Sequence, residues 1–260
     1  MRSSNLPLSV IIPFYNATDT LLESLESVWN QTQQPNEIIL IDDASTKHES
    51  TQKLLDKIKR KNPKSIRLKQ IKSEINRGPG KCRNLGWEAA SEPHIAFLDA
   101  DDKWDTRKLE IQFNWIKNNQ GTILLGAKCG VQDRKSHSAT KVKINSLLWK
   151  NPFCTSTVIL KRDIKYRFES SYFSEDYLLW AQIVSAEKEC YLIKSKLSQE
   201  IRKAKKQRLT GKYWSMFKGE FQALKFIGGK LFPGAILLLI TWSFIKLSKR
   251  IALNILGFEN

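Results

Sequence analysis

His94-Ile95-Ala96-Phe97-Leu98-Asp99-Ala100-Asp101-Asp102 decides the reading of this chain. A short, β-prone, apolar run breaks off into three carboxylates within four positions. Such a run suits a strand buried on both faces of a parallel sheet. Buried strands deliver their C-terminal ends to a crevice, where open α/β sheets bind ligands. Two carboxylates about 4 Å apart repel by roughly 4 kcal/mol at an effective dielectric of about 20. A divalent cation reverses that sign, and Mg²⁺ or Mn²⁺ is commonly held by one or two carboxylates together with substrate phosphates. The competing reading makes Asp101, Asp102 and Asp105 turn and N-cap residues of a helix beginning near Thr106.

Upstream, strands and helices alternate. Strands are expected at 8–14, 37–41 and 66–71, and helices from Thr18 or Asp19 to about Gln31, at 49–61 and from Gly80 to Ala90. After the acidic corner come a helix over 106–117 and a strand over 122–127. This spacing implies βαβ units and a mostly parallel sheet. Two of its strands end in paired acids, Asp42-Asp43 and Asp99 to Asp102, and a doubly wound sheet opens both ends on one edge. That coincidence favours a site over a set of caps.

Beyond Ala127 the pattern loosens. Residues 131–142 read as a surface loop, 155–160 and 190–193 as strands, and 174 onward as a helix with Ser174 as N-cap. The histidines His48, His94 and His137 are scattered and read as structural or solvated. Cys82, Cys129, Cys154 and Cys190 are widely spaced, without a C-x-x-C pair, which argues against a zinc site and suggests no disulfide framework. A reduced, cytosolic catalytic domain follows. The N-terminus lacks the apolar core of a signal peptide.

The 260 residues carry a formal charge of +17, and it is unevenly spread. Twelve basic residues against Glu220 and Glu259 give the last 60 residues a net +10, leaving +7 for the first 200. A basic tail favours an anionic partner. The uncharged stretch 231–245 is shorter than the ~20 residues needed to cross a bilayer. Before it, Tyr213, Trp214, Met216, Phe217, Phe221, Leu224 and Phe226 interleave with lysines, as in an interfacial amphipathic helix. The expected role of 201–260 is to dock on an anionic membrane surface. The alternative is a helical hairpin that packs on the catalytic domain or on a second copy.

Five motifs in this order resemble the family 2 inverting glycosyltransferases of the GT-A fold. They are Ser9-Val10-Ile11-Ile12-Pro13-Phe14-Tyr15-Asn16, Ile41-Asp42-Asp43-Ala44-Ser45, Arg77-Gly78-Pro79-Gly80-Lys81-Cys82-Arg83-Asn84, Phe97 to Trp104, and Ser174-Glu175-Asp176-Tyr177-Leu178-Leu179-Trp180. Ala44 stands where the family often has glycine. The resemblance implies a Rossmann-like α/β catalytic domain over 1–200, with a donor half at about 8–127 and an acceptor half at about 128–200. A helical tail over 201–260 completes the expected organisation.

It further implies that Pro13 and Tyr15, with Asn16 beside them, pack on a nucleotide base to which Asp43 hydrogen-bonds. Arg77, Lys81 and Arg83 lie near the diphosphate, and guanidinium groups suit phosphate oxygens. Asp99, Asp101 and Asp102 form the acidic corner, with Asp101 and Asp102 reaching ribose and a Mn²⁺ or Mg²⁺ ion. Asp176 is the implied general base. The expected reaction moves a sugar from a UDP-sugar to a hydroxyl of a glycan or lipid-linked acceptor, at the cytoplasmic face of the membrane, in surface polysaccharide assembly of bacterial type. Two other readings compete. A sugar nucleotidyltransferase would need a glycine-rich loop where Pro13-Phe14-Tyr15-Asn16 stands. A non-catalytic membrane- or nucleic-acid-binding protein would explain the tail but leave the acidic strand ends unexplained, so no nucleic-acid partner is expected.

Overall fold

A computed structural model describes residues 5–131, 137–169, 174–201 and 213–231, with side chains of the last segment described over 218–230. In chain order the elements are β1 (Leu6–Phe14), α1 (Leu21–Trp29), β2 (Pro35–Asp42), α2 (His48–Lys61), β3 (Arg67–Lys72) and α3 (Pro79–Ala89). There follow β4 (His94–Phe97), β5 (Asp102–Trp104), α4 (Lys108–Asn118), β6 (Leu124–Cys129) and β7 (Ala139–Lys141). Two 3-10 turns, Ile144–Leu148 and Thr155–Thr157, precede β8 (Ile159–Lys161), α5 (Glu175–Ala186), β9 (Cys190–Glu200) and α6 (Tyr213–Leu231).

The strands form one mixed sheet in the order β3-β2-β1-β4-β8-β6-β9-β5, with β7 paired to β9. β3, β2, β1 and β4 run parallel. The register sets Phe14 against Asp42 and Ile11 against Phe97, so β1, β2 and β4 end at one edge. β8 runs antiparallel to β4 and β6, while β6 and β9 are parallel. Alternate side chains of β1 and β2 feed two cores, as period-2 geometry requires. Ile11, Ile39 and Ile41 meet Trp87, Phe168 and Trp180 on one face. Val10, Ile12, Ile38 and Leu40 meet Leu21, Leu25 and Leu109 on the other. Helix α3 lies very close to the sheet: a Cβ on Gly86 would stand 2.5 Å from Ile11 Cγ2 and 2.8 Å from Ile41 Cδ1.

Several expectations need correction. Asp102–Trp104 is not a helix lead-in but an edge strand on the far end of β9, so α4 begins at Lys108. β9 runs eleven residues, not four. The expected strand 155–160 opens with a 3-10 turn, because hydroxyls there serve local backbone: Thr157 Oγ1 lies 2.7 Å from Cys154 O. Side chains of this kind compete with sheet ladders. Ser174 is not a side-chain cap; it sits at φ +65° with no capping hydrogen bond. The loop expected over 131–142 carries β7 at its end, and 132–136 lie outside the described residues.

Cysteine spacing also misled. Cys129, at the end of β6, is joined to Cys154 in a disulfide with Cα atoms 6.1 Å apart, while Cys82 and Cys190 are buried free thiols. Part of the tail belongs to the catalytic domain: Ala223, Leu224 and Ile227 of α6 are fully buried, in the core that also holds α5 residues and Leu147. Residues 232–260, which carry nearly all of the apolar stretch, lie outside the described residues. Among the described residues no helix is long and apolar enough to cross a membrane.

Candidate functional site

The site is built at the edge where β1, β2 and β4 end. β1 passes into Tyr15, which is 46% exposed, and Asn16, at φ +51°. Asn16 Oδ1 accepts Thr46 N–H at 2.9 Å and its own N–H reaches Ser45 Oγ at 2.9 Å, tying the first strand end to the second. β2 passes into Asp42-Asp43-Ala44-Ser45. Ala44 adopts φ +57°, a conformation that costs glycine little and other residues more. Asp42 Oδ1 accepts Ser45 N–H at 2.9 Å.

Asp43 is buried, and both its oxygens are engaged by backbone: Arg77 N–H at 2.7 Å and Gly78 N–H at 2.9 Å. It therefore latches the loop that opens α3, leaving Arg77 and Lys81 exposed on the surface. One turn into that helix, Arg83 points inward. Its Nη2 donates to Asp99 at 2.6 Å and its Nη1 to Glu175 at 3.3 Å, with the side chain 6% exposed. Burial opposes its charge, but Asp99 and Glu175 outweigh it and hold the guanidinium above its usual value. Arg83 thus stands among the carboxylates of the acidic corner. Gly80 gives Glu175 its space, since a Cβ there would lie 2.8 Å from Glu175 Cγ.

The acidic corner follows β4. Asp99 N–H donates to Ser156 Oγ at 3.1 Å, and Ser156 Oγ donates to Asp102 Oδ2 at 2.5 Å. Asp101 is exposed. Burial and then the charge of Asp99 push the Asp102 carboxyl up to about 7. Arg83 offsets Asp99, but among the described residues Asp102 has the Ser156 hydroxyl and no cation beside it, which is the electrostatic condition that favours one.

Among the described residues no three His, Cys, Asp or Glu side chains converge as a cage for an ion. Mg²⁺ and Mn²⁺ need none, because they are usually held by one or two carboxylates, water and substrate phosphates. The hard oxygen donors of Asp101 and Asp102 fit such an ion.

Asp176, in the first turn of α5, faces this corner from the other half of the chain. Its Oδ1 accepts Tyr177 N–H at 2.8 Å. Its Oδ2 accepts Asn151 Nδ2 and Thr155 Oγ1, each at 3.1 Å. Burial pushes its carboxyl up, and Arg83 pulls it only part of the way back. Burial likewise raises Glu175.

Asp99, Asp102, Arg83 and Glu175 are thus joined through direct bonds or a shared partner, Asp176 adjoins them as the neighbour of Glu175 and through Thr155 beside Ser156, and Asp43 reaches them through the start of α3. Pro13, Tyr15, Asn16, Arg77 and Lys81 line the same sheet edge and its first loops. Sequence reasoning missed Asn151, Thr155 and Ser156. The only local signal was the run of hydroxyls at Thr155-Ser156-Thr157.

Comparison with known proteins agrees with this geometry. A model of glycosyl transferase family 2 matches residues 9–174. An uncharacterized glycosyltransferase of Haemophilus influenzae is 33% identical over 220 residues, 81% of this chain and 85% of that one. The Escherichia coli enzyme WfaP, a UDP-Glc:alpha-D-GlcNAc-diphosphoundecaprenol beta-1,3-glucosyltransferase, is 30% identical over 224 residues, 84% of this chain and 81% of that one. Staphylococcus aureus TarS 1–349, solved with UDP-GlcNAc, superposes with a TM-score of 0.67 at 19% identity, over 86% of this chain and 66% of that one. That likeness is one of fold, and the fold is GT-A. On the match over residues 9–174, this chain belongs to glycosyl transferase family 2 and is a glycosyltransferase.

Proposed function

We propose that this glycosyltransferase inverts the anomeric centre as it moves a sugar from a UDP-sugar to a hydroxyl of a lipid-linked acceptor, in the assembly of a bacterial-type surface polysaccharide. The observation that carries the reading is the environment of Asp176: a half-buried carboxylate with raised proton affinity, held by Asn151 and Thr155 and facing an acidic corner that suits a metal-bound diphosphate. A general base works best when its pKa is drawn toward the working pH. WfaP, similar over most of this chain, acts on a diphosphoundecaprenol-linked sugar with UDP-Glc as donor, and this supports the donor and acceptor classes.

The steps are these. Tyr15 and Pro13 pack on the base, and Asp43 fixes the loop that starts α3. Asp101 and Asp102 would hold Mg²⁺ or Mn²⁺, which when bound neutralises charge on the departing diphosphate. Asp176 takes the proton from the acceptor hydroxyl. That oxygen forms its bond to the anomeric carbon from the face opposite the UDP oxygen, which leaves with the bonding pair. A single displacement inverts the centre. The acceptor would lie against 137–169, where Trp149 is 67% exposed two positions before Asn151. Residues 201–260, with their net +10, would hold the enzyme at anionic lipid near such acceptors.

The test is a donor panel of UDP-glucose, UDP-GlcNAc and other nucleotide sugars, with Mn²⁺ or Mg²⁺ and a GlcNAc-diphospho-lipid acceptor, scored for released nucleoside diphosphate. Asp176→Asn should retain UDP binding and lose about 10²- to 10⁴-fold in transfer rate. Undiminished transfer by that variant removes Asp176 as the base. A sugar nucleotidyltransferase would release no nucleoside diphosphate in this panel, and would release pyrophosphate only when given a nucleoside triphosphate and a sugar 1-phosphate.

A further inference from the structure

One short turn touches both halves of the site. Thr155 donates to Asp176, and Ser156, next in sequence, donates to Asp102 and accepts the Asp99 N–H. The turn is anchored from several sides. Trp104 Nε1 donates to Ser156 O at 2.6 Å and Gln112 Nε2 to Thr157 O at 2.9 Å. Thr157 Oγ1 accepts Ala127 N–H at 2.9 Å, and the Cys129–Cys154 disulfide ties the preceding residue to the end of β6. Ser156 and Thr157 are all but inaccessible and Thr155 is 8% exposed.

The hydrogen-bond inventory of Asp176 is specific. An ionised carboxylate offers about four lone-pair sites. Asn151 and Thr155 occupy both on Oδ2, and Tyr177 N–H occupies one on Oδ1. Among the described residues one site remains open, on Oδ1.

We infer that Thr155 and Asn151 are positioning residues. They pin Oδ2 so that Oδ1 presents the one open lone pair to the acceptor hydroxyl, and the 155–157 turn fixes the spacing between this base and the acidic corner. In the transfer step the hydroxyl proton goes to Asp176 Oδ1 as the oxygen's pair forms the new glycosidic bond. The inference rests on Asp176 being the base, as read above.

The experiment compares Thr155→Val, nearly the same shape without the hydroxyl, with Thr155→Ser, which restores it. Steady-state transfer is measured on the full chain, alongside UDP affinity and thermal unfolding. A hydroxyl-to-carboxylate bond of ordinary charge-assisted strength corresponds to about a 10- to 100-fold change in rate. Thr155→Val should lose that factor in kcat, with donor KM and UDP affinity held within about twofold, a span far smaller than that loss. Thr155→Ser should recover most of the rate. An unchanged kcat in Thr155→Val overturns the inference, as does a loss that Thr155→Ser fails to rescue. If Thr155→Val does not fold, Asn151→Ala is judged by the same split between kcat and KM. Asp176→Asn runs in parallel. Should it transfer normally, the base assignment itself falls; should it be inactive while Thr155→Val is normal, only the positioning role falls.

Discussion

Lys108→Met should make the protein more stable, and the gain should grow as pH falls. Lys108, the first residue of α4, has no exposed surface, and its Nζ has no hydrogen-bond partner among the described residues. Its nearest compensation is the Trp104 ring, whose centroid lies 3.9 Å from Nζ. Burial drives its pKa well below the usual lysine value of 10.5. The folded protein therefore holds a neutral amine where the unfolded chain holds an ammonium. Between the depressed pKa and 10.5 the unfolded state binds one more proton, so wild-type stability rises with pH by about 1.4 kcal/mol per unit.

Methionine cannot titrate and nearly conserves volume, with a shape cost below about 1.5 kcal/mol. The stability difference, variant minus wild type, should be smaller at about pH 8.5 than at about pH 7, by at most about 1.4 kcal/mol per unit. Urea unfolding at both pH values measures it. Taking the difference cancels the buried thiols of Cys82 and Cys190, pushed up to about 12, which weaken both proteins alike at alkaline pH. A flat difference across the window would refute the reasoning. It would mean that Lys108 stays charged in the fold, held by a desolvated cation–π contact of about 2 kcal/mol.

Gly86→Ala tests how closely α3 lies on the sheet. Overpacking against Ile11 and Ile41 costs about 1–3 kcal/mol, against a helix-propensity gain of about 1 kcal/mol, so a net loss is expected in urea unfolding; net stabilisation would show that the helix shifts freely. Glu37, fully buried, takes hydrogen bonds from Ser9, Lys69 and Ser91; burial alone would raise its pKa, but these partners together hold it below 4.5. Its contribution is complete above 4.5 and is lost as pH falls through the folded value, so Glu37→Gln should flatten acid unfolding below about pH 4.5. An identical acid limb in both proteins would sink that reading.

Chain order alone carried the donor half. The strands 8–14, 37–41 and 94–98 announce themselves because burial on both faces leaves them apolar except near their starts, at Ser9, Glu37 and His94, and local apolar runs are visible one residue at a time. The two acidic strand ends were legible for the same reason: parallel neighbours must open on one edge, and the registers of Phe14 with Asp42 and of Ile11 with Phe97 show that they do. What the sequence could not supply depends on contacts far apart along the chain. Asp102–Trp104 is a strand only because Ser198–Glu200 arrives beside it. Cys129 and Cys154 are partners only because β6 and the turn after Asn151 are brought together. That Arg83 lies between Asp99 and Glu175 follows only from folding, which sets one on either side of it. Residue type fixes what a side chain can donate or accept, whereas the partner that takes the bond is chosen by tertiary packing, where burial makes an unmet charge or hydrogen bond too costly to leave.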